Sequence, residues 1–485
     1  MVREILYSLV FLVSVVVCVN IRSRRVRQSI LLFGSYVLYL SWGVWFAGVL
    51  LTSTGMNFLL GRSLRQKPTR LTLTIGILLN LAFLSSFKYL PDVAVNLSIG
   101  ALQRFAHLAM PLGISFWTFQ AMSYLFDLYR GEELDPSFFE FALYMAFFPV
   151  AISGPICRMP DMLPQFRSEK ITSRSDIGRG FARIATGVLM MQLARLVGQG
   201  ILSGDGINSG FDHATRWSGA DVWCLAFGYG LQLFFDFAGY SHIAIGAAKA
   251  LGFELPENFA RPFQSTTPSI FWTHWHMSLS FWIRDYVFLP LAMMRRGMWW
   301  RNLTLVISMV LFGLWHKATL LFLLWGCYHG ALLILHRQLQ QFRAKLDWNP
   351  PAAVWTTLSW FVTITLISLG WILFRANSLP QALQMLSAVF SPASYPSRFL
   401  SGSLYLLVFA LAAGYAAVLL ASEMLDRYSA EPETARANSD SSILAGIARN
   451  RWYWIPPLYG LALLLVSIVT HTQDAGAAQF MYRRF

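Results

Sequence analysis

The stretch AAVWTTLSWFVTITLISLGWILF, Ala352–Phe374, runs for 23 residues without one ionisable side chain. About 20 such residues are enough for a helix to cross the hydrocarbon of a bilayer. Ile5–Ile21, Leu71–Leu90 and Trp454–Thr470 are further apolar stretches, the second carrying one lysine, Lys88, near its end. A backbone in lipid must satisfy its own hydrogen bonds, and uninterrupted apolar runs of this length do so as helices. Only 13% of the residues are charged and 56% are hydrophobic, whereas a soluble domain carries about a quarter charged residues. The expected class is an all-α polytopic membrane protein.

Basic residues outnumber acidic ones by 38 to 24, a net charge of +14. They concentrate in short loops between apolar runs, as cytoplasmic loops do, and no basic domain outside the membrane offers a nucleic-acid surface. The partner this excess implies is the lipid bilayer, with no nucleic acid. The first apolar segment ends in IRSRRVRQ and lacks a clear cleavage site, so it reads as an anchor with its N-terminus outside the cytoplasm. IRSRRVRQ and GRSLRQKPTR (Gly61–Arg70) both read as cytoplasmic, which leaves roughly 16 residues per leg for an entry and return and predicts tilted, kinked or re-entrant helices. Arg158–Gly180 reads as a cytoplasmic loop with interfacial helices. MMRRGMWWRN (Met293–Asn302) and HRQLQQFRAKL (His336–Leu346) are also cytoplasmic in character. Between them the chain either runs out and back, turning near His316, or forms two short helices that stop part-way. Ser422–Arg451 is a polar loop, and the final MYRRF falls on the outer side by the count of crossings, against the charge rule. Cys18, Cys157, Cys224 and Cys327 lie in or beside apolar segments without metal or disulfide spacing, as core residues do.

FWTHWHMSLSFWIRDY (Phe271–Tyr286) places two histidines, an arginine and an aspartate among aromatic rings. Ionisable groups at membrane depth are costly and mark candidate functional sites. On one continuous helix His276, Ser280 and Arg284 share a face, with Asp285 one residue further round, a stripe suited to a phosphate or carboxylate. The alternative is an interfacial helix with Trp272, Trp275 and Trp282 at the headgroups and Arg284 and Asp285 in water. His316, in LFGLWHKATLLFLLWG, is the stronger candidate, because imidazole is the usual general base near neutral pH. A zinc site built on His274 and His276 is disfavoured, since on a helix the two diverge by about 200°. GCYHG (Gly326–Gly330) has the small-xxx-small pattern of close helix packing, and His329 within it reads as structural.

The Phe271–Leu291 block resembles the signature of the membrane-bound O-acyltransferase family, in its bacterial branch that modifies envelope polysaccharides. PLGISFWTFQAMSYLFDLYRG, FFPVAISGPICR, LQLFFDFAGYSHIAIG, LGFELPENFARPF, GLWHKATLLFLLWGCYHG and WILFRA resemble further family blocks. They occur in family order across about 265 residues, 111–376, flanked by N-terminal helices over 1–110 and C-terminal helices over 377–485 in one integral-membrane domain. The resemblance implies a ring of about 11 to 13 tilted transmembrane and re-entrant helices around a thinned core, with a cytoplasmic funnel for a thioester donor. It implies His316 as the essential histidine and His276 as the second. Trp275, Ser280, Arg284, Asp285, Trp315, Lys317, Asp236, Tyr240 and Ser241 are then the tunnel candidates. Four positions depart from the family pattern. Thr273 and His274 stand where two basic residues are usual, His242 where an acid is frequent, and Lys317 where a glycine usually follows the histidine.

These features together imply an O-acyltransferase of the bacterial inner membrane. It would bind no resident cofactor and take acetyl-CoA, another acyl-CoA or an acyl-carrier thioester as donor. A cell-envelope or exported polysaccharide would be the acceptor, with an extracytoplasmic acyltransferase or esterase-like partner. The rival readings are a transporter of an acylated intermediate and an inactive scaffold of a polymer-modifying complex.

Overall fold

The computed structural model describes residues 2–97, 109–151, 153–201, 204–345 and 350–430. In chain order its helices are α1 (Val2–Asn20), α2 (Arg24–Trp42), α3 (Val44–Gln66), α4 (Arg70–Lys88), α5 (Leu90–Leu97), α6 (Ile114–Tyr129), α7 (Phe138–Ala146), α8 (Met159–Arg167), α9 (Arg174–Gln199) and α10 (Ile207–Asp212). They continue as α11 (Gly219–Ala250), α12 (Pro268–His274), α13 (Met277–Ile283), α14 (Leu289–Met293), α15 (Met298–His316), α16 (Leu320–Arg343), α17 (Ala352–Arg375), α18 (Leu379–Phe390) and α19 (Gly402–Ala430). Among the described residues, the one isolated antiparallel bridge joins Phe259 to Trp275. Nine of these helices are long and apolar enough to cross a membrane. Their outward residues, such as Leu9, Val16, Phe409 and Leu420, are large, apolar and exposed, which suits a lipid surface and not water.

Two compact units interleave along the sequence. The first comprises Met1–Ile184, Ser241–Asn258 and His276–Arg296; the second comprises Ala185–Tyr240, Phe259–Trp275 and the chain from Gly297 onward. In the first unit α6 is buried on nearly every face, as expected of a helix apolar all round. It lies so close to its neighbours that a Cβ on Gly61 of α3 would come within 2.4 Å of the Tyr124 ring. Helices α3 and α4 are tied by a reciprocal amide pair. Asn57 Nδ2 donates to Asn80 Oδ1 at 3.1 Å, and Asn80 Nδ2 donates to Asn57 Oδ1 at 2.7 Å.

In the second unit α15 and α16 form a tight hairpin. A Cβ on Gly326 would lie 2.5 Å from Val310 Cα, and one on Gly313 would lie 2.3 Å from the Phe322 carbonyl oxygen. The GCYHG expectation therefore holds, since the glycines let the two backbones touch. Helix α17 joins this hairpin through Tyr328, whose hydroxyl donates to the Leu366 carbonyl at 2.7 Å. The loop before α19 is held by Asp221, which accepts the Leu400 N–H at 3.1 Å and the Tyr405 hydroxyl at 2.7 Å.

Several expectations change. The two legs read as roughly 16 residues are helices of 19 and 23 residues, because the arginines taken as loop lie inside their helix ends and lengthen both. Within Arg158–Gly180 a short helix, α8, is followed by the start of α9, a helix of 26 residues. Between the two basic runs the chain goes out and back, turning at residues 317–319. Ser422–Ala430, read as loop, continues α19. Residues 431–451 of that loop, the apolar run Trp454–Thr470 and the final MYRRF lie outside the described residues.

Two stability measurements follow from this packing. Gly326→Val forces a branched side chain against the Val310 backbone and should destabilise the protein by about 1–3 kcal/mol or more. Gly414→Ala, where nothing lies within 4 Å, should leave the detergent melting temperature unchanged. Asn57→Ala leaves the Asn80 amide buried without its partner and should cost about 1–3 kcal/mol, whereas replacing both asparagines by leucine should recover much of that loss. Wild-type melting of Asn57→Ala would show that the pair contributes nothing.

Candidate active site

His316 is the last residue of α15, and the helix length of 19 residues places it about 28 Å along the axis from the basic Met298 end. The helix stops because Lys317 adopts an extended conformation (φ −155°), after which the Lys317 carbonyl accepts the Thr319 N–H at 2.8 Å. His316 is 8% exposed and is enclosed by aromatic rings of its own unit. Phe312 lies nearly parallel to it at 5.7 Å, Trp315 at 4.6 Å, and Phe374 of α17 edge-on at 5.0 Å. Lys317 is exposed.

The same unit holds Trp275, Asp236 and Tyr240. Trp275 is buried, stacks on Phe271 at 5.4 Å and packs on Trp371 at 5.1 Å. Asp236 is buried and Tyr240 half-buried on α11. His329 is fully buried, with its ring against Trp272 at 5.1 Å and Trp325 at 4.7 Å. A Cβ on Gly370 would lie 2.5 Å from His329 Nε2, so His329 is a packed core ring, as expected.

The remaining candidates belong to the first unit. FWTHWHMSLSFWIRDY is not one helix: α12 ends at His274, α13 begins at Met277, and Arg284–Phe288 form a π-helical turn. The single stripe through His276, Ser280 and Arg284 is therefore corrected. His276 is 1% exposed and sits at the helix start with φ +44°. A left-handed conformation in a residue other than glycine costs on the order of 1–3 kcal/mol and persists only where surrounding bonds impose it. Those bonds come from Asn258. Its carbonyl accepts the Met277 N–H at 2.9 Å, and its Oδ1 accepts the Ser278 hydroxyl at 2.6 Å. Its Nδ2 donates to Ser241 Oγ at 3.0 Å, while Ser278 Oγ accepts the Ile156 N–H at 3.0 Å. The His276 carbonyl then caps α13 by accepting the Ser280 N–H at 2.9 Å.

The interfacial alternative holds only for Arg284, which is exposed. Trp272, Trp275 and Trp282 are 7%, 4% and 4% exposed, so they pack in the protein. Asp285 is the hub of an arginine cluster rather than a solvated charge. Its carboxylate accepts Arg158 Nη2 at 2.7 Å and Arg284 Nε at 2.7 Å, and its carbonyl accepts Arg130 Nη2 at 2.7 Å. The Arg130 and Arg158 guanidiniums each lie 5.1 Å from the Tyr286 ring centroid, and the Tyr286 hydroxyl donates to Asp127 Oδ1 at 2.7 Å. Burial alone would raise the Asp285 carboxyl; the bonds from Arg284 and Arg158 outweigh it and hold the group below its ordinary value.

Asn258, Arg158, Arg130, Asp127 and Tyr286 were not singled out from the sequence. The four apart from Asn258 had a signal available, since charged or hydroxyl-bearing residues beside apolar runs need partners. Asn258, in a polar loop segment, had none. Among the described residues no group of three or more His, Cys, Asp or Glu side chains is placed to hold a metal ion.

Comparison with known proteins agrees with this architecture. Residues 35–375 match the family model of the membrane-bound O-acyltransferases, a stretch that contains every candidate discussed above. The chain is 34% identical over 383 residues to a probable alginate O-acetylase of Pseudomonas putida, covering 76% of each chain. It is 30% identical over 396 residues to a peptidoglycan O-acetyltransferase of Helicobacter pylori, covering 74% of this chain and 73% of that one. A teichoic acid D-alanyltransferase of Bacillus subtilis is 29% identical over 284 residues, covering 55% of this chain and 69% of that one. The protein therefore belongs to the membrane-bound O-acyltransferase family and is a multi-pass membrane O-acyltransferase.

Proposed function

We propose that this enzyme carries an acyl group, acetyl in the first instance, from a cytosolic thioester across the bacterial inner membrane for O-acylation of a cell-envelope or exported polysaccharide. The observation that carries the reading is the setting of His316, an imidazole held in an aromatic enclosure at the end of a membrane-length helix. The named activities of the relatives, on alginate, peptidoglycan and teichoic acid, support a polymer acceptor. The family assignment favours bond-making chemistry over the transport and scaffold readings.

In this mechanism the neutral His316 imidazole takes the proton of an acceptor hydroxyl, and the oxygen attacks the thioester carbonyl carbon. The carbon–sulfur bond breaks as the tetrahedral intermediate collapses, and the imidazolium returns its proton to the leaving thiolate. By the family resemblance His276 orients the acceptor or stabilises developing negative charge. A variant in which His316 itself becomes acylated uses the same residues with imidazole as nucleophile. The donor is acetyl-CoA, another acyl-CoA or an acyl-carrier thioester. An extracytoplasmic acyltransferase or esterase-like partner completes transfer to the polymer.

Purified protein in nanodiscs with radiolabelled acetyl-CoA tests the assignment. His316→Gln, which keeps much of the ring's volume, should lower thioester turnover by about 10²–10⁴-fold with little change in melting temperature. Wild-type-like turnover in that variant would remove His316 from the chemistry. Acid-quenched protein that retains label on His316 would select the acyl-histidine route.

His276 calls for a variant that respects its backbone. Asn tolerates the left-handed region far better than most residues, so His276→Asn should fold normally yet lose about 10²–10³-fold in turnover. His276→Val, β-branched at positive φ, should instead melt at a lower temperature. Full activity in His276→Asn would limit the residue to a structural role.

A further inference from the structure

We propose that Asn258 is a positioning residue for acyl transfer: it caps α13 in place of His276, and so sets the direction of the His276 ring. The inference rests on the reading that His276 takes part in the transfer. The groups involved, Ile156, Ser241, Asn258, His276 and Ser278, all belong to the first unit.

A residue at a helix start usually turns its own side chain back onto the N–H groups of the first turn. His276 occupies that place in α13 and makes no such bond. The first two N–H groups of the helix are bound from outside instead. The Met277 N–H donates to the Asn258 carbonyl at 2.9 Å, and the Ser278 N–H donates to Asn258 Oδ1 at 3.3 Å. With the cap supplied by a separate segment, the His276 side chain takes no part in it. Its φ of +44° then carries the Cα–Cβ bond away from the course of an ordinary, extended cap residue.

Asn258 is held in this role by bonds of its own. It is fully buried; its Nδ2 donates to Ser241 Oγ at 3.0 Å, and its Oδ1 also accepts the Ser278 hydroxyl at 2.6 Å. A reversed amide would set Nδ2 against the Ser278 N–H, donor against donor, so one orientation is selected. Ser278 Oγ in turn accepts the Ile156 N–H, and Arg158, two residues on, holds Asp285. One short segment thus grips the chain at the start of α13 and just beyond its end. Displacing a reacting group by about 1 Å can cost roughly 10²-fold in rate. A cap that steers a ring therefore matters to the reaction without touching substrate.

The test is turnover of radiolabelled acetyl-CoA in nanodiscs, referred to folded protein by the melting amplitude of each sample. Asn258→Ala should lower kcat by about 10–100-fold and keep the KM for acetyl-CoA within about twofold of wild type. Asn258→Asp keeps an acceptor at Oδ1, and its carboxylate is met by the Ser278 N–H and two serine hydroxyls; it should recover kcat to within about fivefold of wild type. Glycine adopts a positive φ at no steric cost and has no ring to steer, so adding Asn258→Ala to His276→Gly should cause no further loss. Should Asn258→Ala not fold, Ser241→Ala removes only the bond that orients the amide. It should lower kcat by about 3–10-fold and again change nothing in the His276→Gly background. Wild-type kcat in Asn258→Ala, equal losses in the two backgrounds, or a folded Asn258→Asp as slow as Asn258→Ala would overturn the positioning role and leave acyl transfer intact. Full activity in His276→Gly would overturn the part of His276 in the reaction, and the proposal with it.

Discussion

The contact of α15 with α16 through Gly313 and Gly326 is the constraint on which the rest of the second unit depends. Within lipid there is little hydrophobic gain from pressing one apolar helix on another, so association relies on close van der Waals fit. Glycine at these positions lets backbone meet backbone, and this contact fixes where α15 ends and hence where His316 stands. The aromatic rings on both helices are then brought into one layer with Phe374 and Trp371 of α17. A looser hairpin would keep every residue of the candidate site and lose its geometry.

The first unit solves a different problem, that of holding polar groups away from water. Asn258 satisfies both serines around it and bonds to the Met277 N–H, which keeps His276 in a backbone conformation it would not adopt alone. Asp285 brings together three guanidiniums at the π-helical turn. Arginine suits this role because its planar fork remains charged and presents several donors at fixed angles. Each network is assembled from segments distant in sequence, and a half-satisfied version would cost more than an apolar replacement.

How much of this was legible beforehand differs by level. The long apolar runs announced helices, and charge between them located most of the turns, including that after His316. The boundaries of α2 and α3 were misplaced because arginines at helix ends look the same as arginines in loops. The continuous helix drawn through FWTHWHMSLSFWIRDY failed because nothing in a local periodicity registers a break imposed by Asn258, or a π-helical turn. The tryptophans there looked interfacial because aromatic residues serve headgroup belts and protein cores equally well; their partners decided between the two.

The sequence by itself determined the class of protein, the helical segments and the ordered blocks that mark its family, because these depend on composition and on chemistry local to the chain. The tertiary structure alone decided which charge meets which, why His276 is left-handed and what encloses His316. Those outcomes depend on contacts such as Arg158 with Asp285 and His316 with Phe374. Each joins residues that no local repeat connects, and only packing brings them within a few ångströms.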